Sequence, residues 1–246
     1  MRLGILSDIH SNLQALESAW KNMESFSCDK VVCAGDVVGY GGNPAECIDF
    51  LRSKNVDTVR GNHDHYVAYP KDALEVQRYA MEAITWTRTA ISPSQLEWLA
   101  TLPLRFDLDD ITIVHSSLEG CDGSYWPYVL DSKTAMFHFF LQYTRYAFFG
   151  HTHIPLLFTY DGRMKIDMEI LRSRKLEPAL GSHYLINPGS VGQPRDFDCR
   201  SSAVVLDTDT NEIRLLRSAY DVASAQAAIY AAGLPQSLAA RLSRGS

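Results

Sequence analysis

The stretch Arg2-Leu3-Gly4-Ile5-Leu6-Ser7-Asp8-Ile9-His10 decides how the rest of the chain reads. Its apolar run has the character of a central strand, and it stops abruptly at a carboxylate and an imidazole. Working outward, Asn12–Met23 carries Leu13, Leu16, Trp20 and Met23 at helical spacing, an apolar stripe suited to facing a sheet. Val31–Ala34 is the next strand and ends at Gly35-Asp36, so the opening is a β-α-β unit with a parallel, right-handed crossover. Asn43-Pro44-Ala45-Glu46 offers an N-cap, a proline at N1 and an acid at N3. The helix it starts should run to about Lys54, followed by a strand over Val56–Arg60 that ends at Gly61-Asn62-His63-Asp64. Open α/β sheets bind ligands at the carboxyl ends of their strands. Here successive strands end in ligand-type residues.

Beyond this point the spacing predicts a helical stretch over Tyr66–Thr101, with Ser92-Pro93-Ser94-Gln95 as a second N-cap ahead of Leu96, Trp98 and Leu99. Leu104–Leu108 and Ile111–His115 read as a hairpin closed at Asp109-Asp110, and Ser116–Arg145 as an aromatic-rich loop followed by a helix. From Tyr146 the chain is mostly strand: Tyr146–Phe149, Leu156–Tyr160, Arg163–Met168, Tyr184–Ile186, Ala203–Leu206 and Glu212–Arg217. Asp161-Gly162 is a two-residue hairpin signal. Asp221 caps a last long helix ended by Gly233, with a short proline-started helix behind it.

Composition narrows the function. Hydrophobic residues are 46% and charged residues 21%, the balance of a globular protein with a sizeable core. No apolar run is long enough to span a bilayer, and a cleaved leader would remove Asp8 and His10. The expected setting is therefore the cytoplasm, without a membrane partner. Cys28, Cys33, Cys47, Cys121 and Cys199 form no C-x-x-C pair and read as buried free thiols. A net charge of −6 argues against long nucleic acid as a partner and leaves room for a small phosphorylated substrate.

Five of the eight histidines fall in polar clusters that end apolar runs: Asp8-Ile9-His10, Gly61-Asn62-His63-Asp64, His115 and Gly150-His151-Thr152-His153, with Gly35-Asp36 between the first two. Singly, each could be an ordinary turn or cap. Jointly they supply the oxygen and nitrogen donors of a metal site. The order Asp8-x-His10, Gly35-Asp36-x-x-Gly39, Gly61-Asn62-His63-Asp64, His115, Gly150-His151-x-His153 resembles the signature of calcineurin-like metallophosphoesterases. Asn187-Pro188-Gly189-Ser190-Val191-Gly192-Gln193-Pro194-Arg195 is similar to a segment of their small bacterial and archaeal phosphodiesterase branch. Ser116 departs from the pattern, since family members often have glycine after the ligand histidine.

The resemblance implies an α/β fold, a four-layer α-β-β-α sandwich of two mixed sheets flanked by helices. It is expected as a single metallophosphoesterase domain over residues 1–246, with a helical cap or side layer at about 66–101. It also implies two divalent metal ions, Mn²⁺ first, with Fe, Ni²⁺ or Zn²⁺ as alternatives. Asp8, His10 and His153 would hold one ion and Asn62, His115 and His151 the other, with Asp36 bridging. The implied activity is hydrolysis of small phosphodiesters by in-line attack of a metal-bridging hydroxide. His63 would assist the leaving group, and Asp64 would either orient the His63 ring or cap the loop. Arg195 and Tyr40 are further substrate-binding candidates, with pairing of Arg195 to Asp196 or Asp198 as the alternative. His65, His138 and His183 stand outside the motifs and read as satisfied or solvated side chains; the aromatic segment Tyr125–Phe140 reads as core and lid packing. Competing readings are a phosphomonoesterase or protein Ser/Thr phosphatase, a nuclease, and a non-catalytic metal-binding scaffold of the same fold.

Overall fold

A computed structural model describes residues 1–73 and 76–246. In chain order the strands and helices are β1 (Arg2–Leu6), α1 (Leu13–Glu24), β2 (Lys30–Cys33), α2 (Pro44–Ser53), β3 (Asp57–Thr58), α3 (Asn62–Ala68), α4 (Arg78–Ala90), α5 (Pro93–Thr101), β4 (Arg105–Leu108) and β5 (Ile111–Val114). There follow α6 (Ser132–Leu141), β6 (Tyr146–Phe148), β7 (Pro155–Tyr160), β8 (Ile166–Ile170), β9 (Arg174–Lys175), β10 (His183–Pro188), β11 (Ser201–Asp207), β12 (Glu212–Ser218), α7 (Val222–Ala231) and α8 (Gln236–Leu242). They build two six-stranded mixed sheets, ordered β3-β2-β1-β11-β12-β9 and β4-β5-β6-β10-β7-β8.

The period of two along each strand sorts the side chains into layers. Leu3 and Ile5 of β1, Val32 of β2, and Val204 and Leu206 of β11 point between the sheets, where they meet Ile111, Ile113, Tyr146, Phe148 and Ile186. Leu6, Cys33, Ala203 and Val205 point outward against Leu16 and Met23 of α1 and Ile48 and Leu51 of α2. On the far side, Ala147, Phe158 and Leu185 meet Ala135 and Phe139 of α6. The result is the expected α-β-β-α sandwich. β1 is indeed central, parallel to β2 and antiparallel to β11. Among the described residues no helix is long and apolar enough to cross a membrane.

The capping grammar is realised unevenly. Asn12 accepts from the Ala15 amide, Asp221 accepts from the Ser224 amide, and Ser92 with Gln95 forms a capping box. Gly233, at φ 66°, ends α7 with the Leu234 amide donating back to the Ile229 carbonyl. Asn43 stands at the cap of α2 but makes no capping bond, and its Oδ1 is buried without a partner. The stretch around 66–101 holds the end of α3, α4 and α5, with residues 74 and 75 outside the described residues. α4 packs on α7 and α8 through Ala80, Ala83, Ala225, Ile229 and Leu238.

Three expectations need correction, and one strand was not expected. The strand expected at Arg163–Met168 lies at Ile166–Ile170, because the turn before it has five residues rather than two: Tyr160 pairs with Ile166. Asp161 fixes that wider turn, its carboxylate accepting from the Arg163 and Lys165 amides while Met164 takes φ 73°. β3 is only two residues long, since the Arg60 amide turns away to donate to the Pro103 carbonyl. β9, which pairs with β12, had no periodic signal in two basic residues. Of the five free cysteines, Cys33 and Cys47 are buried, whereas Cys28, Cys121 and Cys199 are half-buried.

His138 on α6 is fully buried, with Nδ1 accepting from the Leu118 amide, and burial lowers it to about 3. The unfolded chain takes up this proton near pH 6.5 and the folded chain does not. Stability carried by the neutral ring is thus complete above pH 6.5 and lost as pH falls toward 3. Replacing His138→Gln should flatten the acid limb of a urea-unfolding profile by up to ~1.4 kcal/mol per pH unit relative to wild type. Parallel limbs for the two proteins would exclude this linkage.

Candidate metal centre

Both sheets contribute to one site at their shared edge. From the first sheet, Asp8 and His10 follow β1, Asp36 follows β2, and Asn62 opens α3 just after β3. From the second, His115 follows β5, and His151 and His153 follow β6. All seven residues are buried. Donor atoms converge within 4.8 Å in the groups Asp8–His10–His153 and Asp36–His115–His151, and in a third, His10–Asp36–His63.

The imidazoles are aimed by backbone carbonyls behind them. Nδ1 of His10 lies 3.2 Å from the Val38 carbonyl, Nδ1 of His115 2.8 Å from that of Ala34, and Nδ1 of His153 2.6 Å from that of Gln193. His151 uses its other nitrogen, Nε2, 3.1 Å from the Trp126 carbonyl. A carbonyl can only accept, so each of these nitrogens carries the proton and the opposite one is turned toward the centre. Burial holds His10 and His153 well below the usual histidine range and His151 at about 3, so these rings are neutral. The inward lone pairs of His10 and His153 therefore face each other across 3.1 Å. Asp36 Oδ2 is buried with no hydrogen-bond partner, 3.3 Å from Nε2 of His115 and 3.6 Å from Nε2 of His10. Asp8 Oδ1 is 3.2 Å from Nε2 of His153, and Asn62 Oδ1 is 3.1 Å from Nε2 of His115. Burial would lower His115, but the carboxylates of Asp36 and Asp8 raise it to about 9. Burial and the neighbouring Asp36 raise both Asp8 and Asp64 to about 7. Acceptors crowded in this way around shared points call for cations, and a mixed oxygen and imidazole set fits divalent metal ions.

The loops holding these donors are strained. Asp8, His10, Asp36, His151 and His153 all have positive φ, between 48° and 66°. Cross-loop backbone bonds hold them: the Asp8 amide donates to the Gly35 carbonyl at 2.9 Å and the His10 amide to the Asp36 carbonyl at 3.0 Å. Two glycines allow carboxylates to come close. A Cβ on Gly61 would lie 2.1 Å from Asp36 Oδ1, and one on Gly150 would lie 2.5 Å from Asp8 Oδ2.

Asp64 does not touch the His63 ring, which corrects one of its two expected roles. Its carboxylate accepts from the Val38 amide at 3.1 Å and the Gly61 amide at 3.0 Å, the loop-capping alternative. With one backbone amide on each of its oxygens, the carboxylate is committed to the loop. His63 is instead held through its own amide, which donates to Asp36 Oδ1 at 2.8 Å. Its Nδ1 is enclosed without a partner beside Gly39, and burial lowers the ring to about 4.

Arg195 pairs with neither neighbouring acid, because Asp196 binds Arg217 and Asp198 binds Arg200. Its Nη2 donates to Gln193 Oε1 at 3.1 Å, its Nε is buried without a partner, and the guanidinium lies 6.0 Å from the Tyr40 ring. Tyr40 is buried with its ring 4.6 Å from His10 and 4.4 Å from His63. Outside the motifs, the Nε2 of His65 meets Asp72 at 3.0 Å and Nδ1 of His183 meets the Thr144 carbonyl at 2.8 Å.

Several contributors went unread in the sequence. Tyr128 stacks on His151 with centroids 3.9 Å apart, and the Trp126 carbonyl orients the same ring. Aromatic content flagged this segment, but backbone carbonyls and ring orientation leave no sequence mark. Ser116 donates to the Pro127 carbonyl, so the residue that departs from the family pattern ties down that loop. The Asn187–Arg195 segment works as a buckle. Asn187 Nδ2 donates to the Gly150 carbonyl at 2.6 Å and to Thr152 Oγ1 at 3.0 Å, while Ser190 Oγ donates to the Asp8 carbonyl at 2.7 Å. Removing that amide in Asn187→Ala should lower stability by ~1–3 kcal/mol in urea unfolding. It should also weaken metal uptake roughly tenfold or more in calorimetric titration, as loss of a supporting shell does. Unchanged affinity would show that the buckle does not support the donors.

A protein-family model for the calcineurin-like phosphoesterase superfamily domain matches residues 1–211. An uncharacterized protein of Methanocaldococcus jannaschii is 33% identical over 246 residues, covering 99% of this chain and 98% of that protein. The crystal structure of a metallophosphoesterase from Sphaerobacter thermophilus superposes with a TM-score of 0.86 at 34% identity, covering 100% of this chain and 99% of the other. A hypothetical protein from Pyrococcus horikoshii shares the fold at a TM-score of 0.81 and 18% identity, with 100% and 98% of the two chains covered. With the donor geometry and the full-length matches in agreement, the chain belongs to the calcineurin-like phosphoesterase superfamily.

Proposed function

We propose that this protein is a two-metal phosphoesterase that hydrolyses small phosphodiesters. The observation that carries the reading is Asp36 Oδ2, a buried carboxylate oxygen without a hydrogen bond among the described residues, within 3.6 Å of a histidine from each of two donor groups. Asp8, His10 and His153 would hold one divalent ion, Asn62, His115 and His151 the second, and Asp36 would serve both. When bound, such ions supply Lewis acidity toward a phosphoryl oxygen and acidify a water molecule. The neutral Asn62 amide leaves its group with less negative charge than the one built on Asp8, which favours a phosphoryl oxygen on that side.

The chain's own groups then orient and discharge the ester. Arg195, a guanidinium without a carboxylate partner among the described residues, binds a phosphoryl oxygen. Tyr40 keeps water from one side of His10 and His63. His63 is enclosed at Nδ1, so Nε2 is the atom that gives a proton to the departing oxygen. The negative charge of a bound phosphate stabilises its protonated form.

Protein stripped of metal and reloaded with Mn²⁺, Fe²⁺, Ni²⁺ or Zn²⁺ singly should hydrolyse a nitrophenyl phosphodiester faster than the matching monoester with at least one of them. Faster monoester turnover would shift the assignment to a phosphomonoesterase, and inactivity on both with every metal would favour a scaffold. The proton-donor role has its own check. His63→Ala should slow esters with alkyl leaving groups ~10²–10⁴-fold and nitrophenyl esters far less. Equal losses on both classes would remove it.

A further inference from the structure

Away from the metal centre, the outer face of the second sheet carries an apolar surface that none of the described residues covers. Met136, Phe137 and Phe140 of α6 face Met164 and Ile166 of the neighbouring hairpin across a groove of about 370 Å³. The alternation along β8 puts Met168 and Ile170 on the same face as Ile166, beside Phe158 and Leu156 of β7. Phe140 is 64% exposed, Met164 62% and Ile170 53%, with Leu141, Phe137 and Met168 between 44% and 52%. At ~200 Å² per large side chain these fractions leave about 600 Å² of apolar surface open, at the upper limit of what a monomer usually shows. That approaches the ~800 Å² each partner gives to a standard stable interface, before any polar rim is added.

We propose that this face is the two-fold interface of a homodimer. A two-fold contact buries the same patch on both copies, so the patch must be complementary to itself. Apolar surface meets that condition and a one-signed charged surface does not. On α6 the only charged residue is Lys133. The relief fits too, since each copy offers both a groove and, in the mostly exposed Phe140 that lines it, a large side chain to enter the other copy. Strand-to-strand pairing through the β8 edge is disfavoured, because the acids Asp167 and Glu169 of one copy would face those of the other. Side chains rather than the strand edge therefore make the contact.

Sedimentation equilibrium on the 246-residue chain should give twice its mass of 27.6 kDa at micromolar concentration. Phe140→Asp should raise the dimer dissociation constant about a hundredfold or more. Hydrogen exchange of the wild-type protein needs no variant and should slow over α6 and β8 as concentration passes the dissociation constant. A monomer at ~100 μM, or a dimer that survives Phe140→Asp with unchanged affinity and no concentration-dependent protection of α6 and β8, would overturn the proposal. A wild-type chain that stays monomeric in buffer but sediments with phosphatidylglycerol vesicles would overturn it in favour of a membrane surface.

Discussion

Everything at the sheet edge follows from one electrostatic constraint. Two buried carboxylates and four imidazoles turn their ligand-type atoms to the same small volume, and protein atoms behind them prevent the rings from turning away. Left to themselves, His10 and His153 would rotate to avoid a 3.1 Å contact between nitrogens. The Val38 and Gln193 carbonyls hold them there. Positive φ at five donor residues and the close approach of Gly61 and Gly150 to carboxylates are the backbone's share of the same arrangement. Strain of this kind persists only where the surroundings over-determine it, and the buckle from Asn187 to Gly192 supplies that support.

The division of labour between layers is clear. Packing between the sheets depends on alternating side chains such as Leu3, Ile5 and Phe148, all fully buried and free of polar atoms. The donor residues are confined to the first one to five positions beyond the strand ends, with Asn62 opening α3. A rigid core of this sort can tolerate strained loops because the strain is local and the burial is not.

The strands and the donors were legible for a shared reason: both are written in local sequence. β1 ends at Leu6 and its donors begin at Asp8; β2 ends at Cys33 and its donor is Asp36. What escaped reading depends on distant partners. Asp64 could orient a ring or cap a loop, and only the positions of the Val38 and Gly61 amides decide between them. Arg195 had two acids within three residues, but Arg217 and Arg200 claim them first. The Asp161 turn imitates a tight hairpin in sequence, whereas its carboxylate gathers two later amides and widens it. Tyr128 reads as packing until the fold lays it on His151.

The donors come from two different sheets, and this has a consequence for the core. Asp8, Asp36 and Asn62 ride on one slab, and His115, His151 and His153 on the other. The spacing of the slabs is set by side chains such as Ile5, Phe148 and Ile186 in the layer between them. Those hydrophobic residues therefore act as a caliper whose jaws are the metal-facing loops. A substitution there can leave the protein folded and still shift the two sets of donors relative to each other, because in this architecture the thickness of the core is itself a dimension of the site.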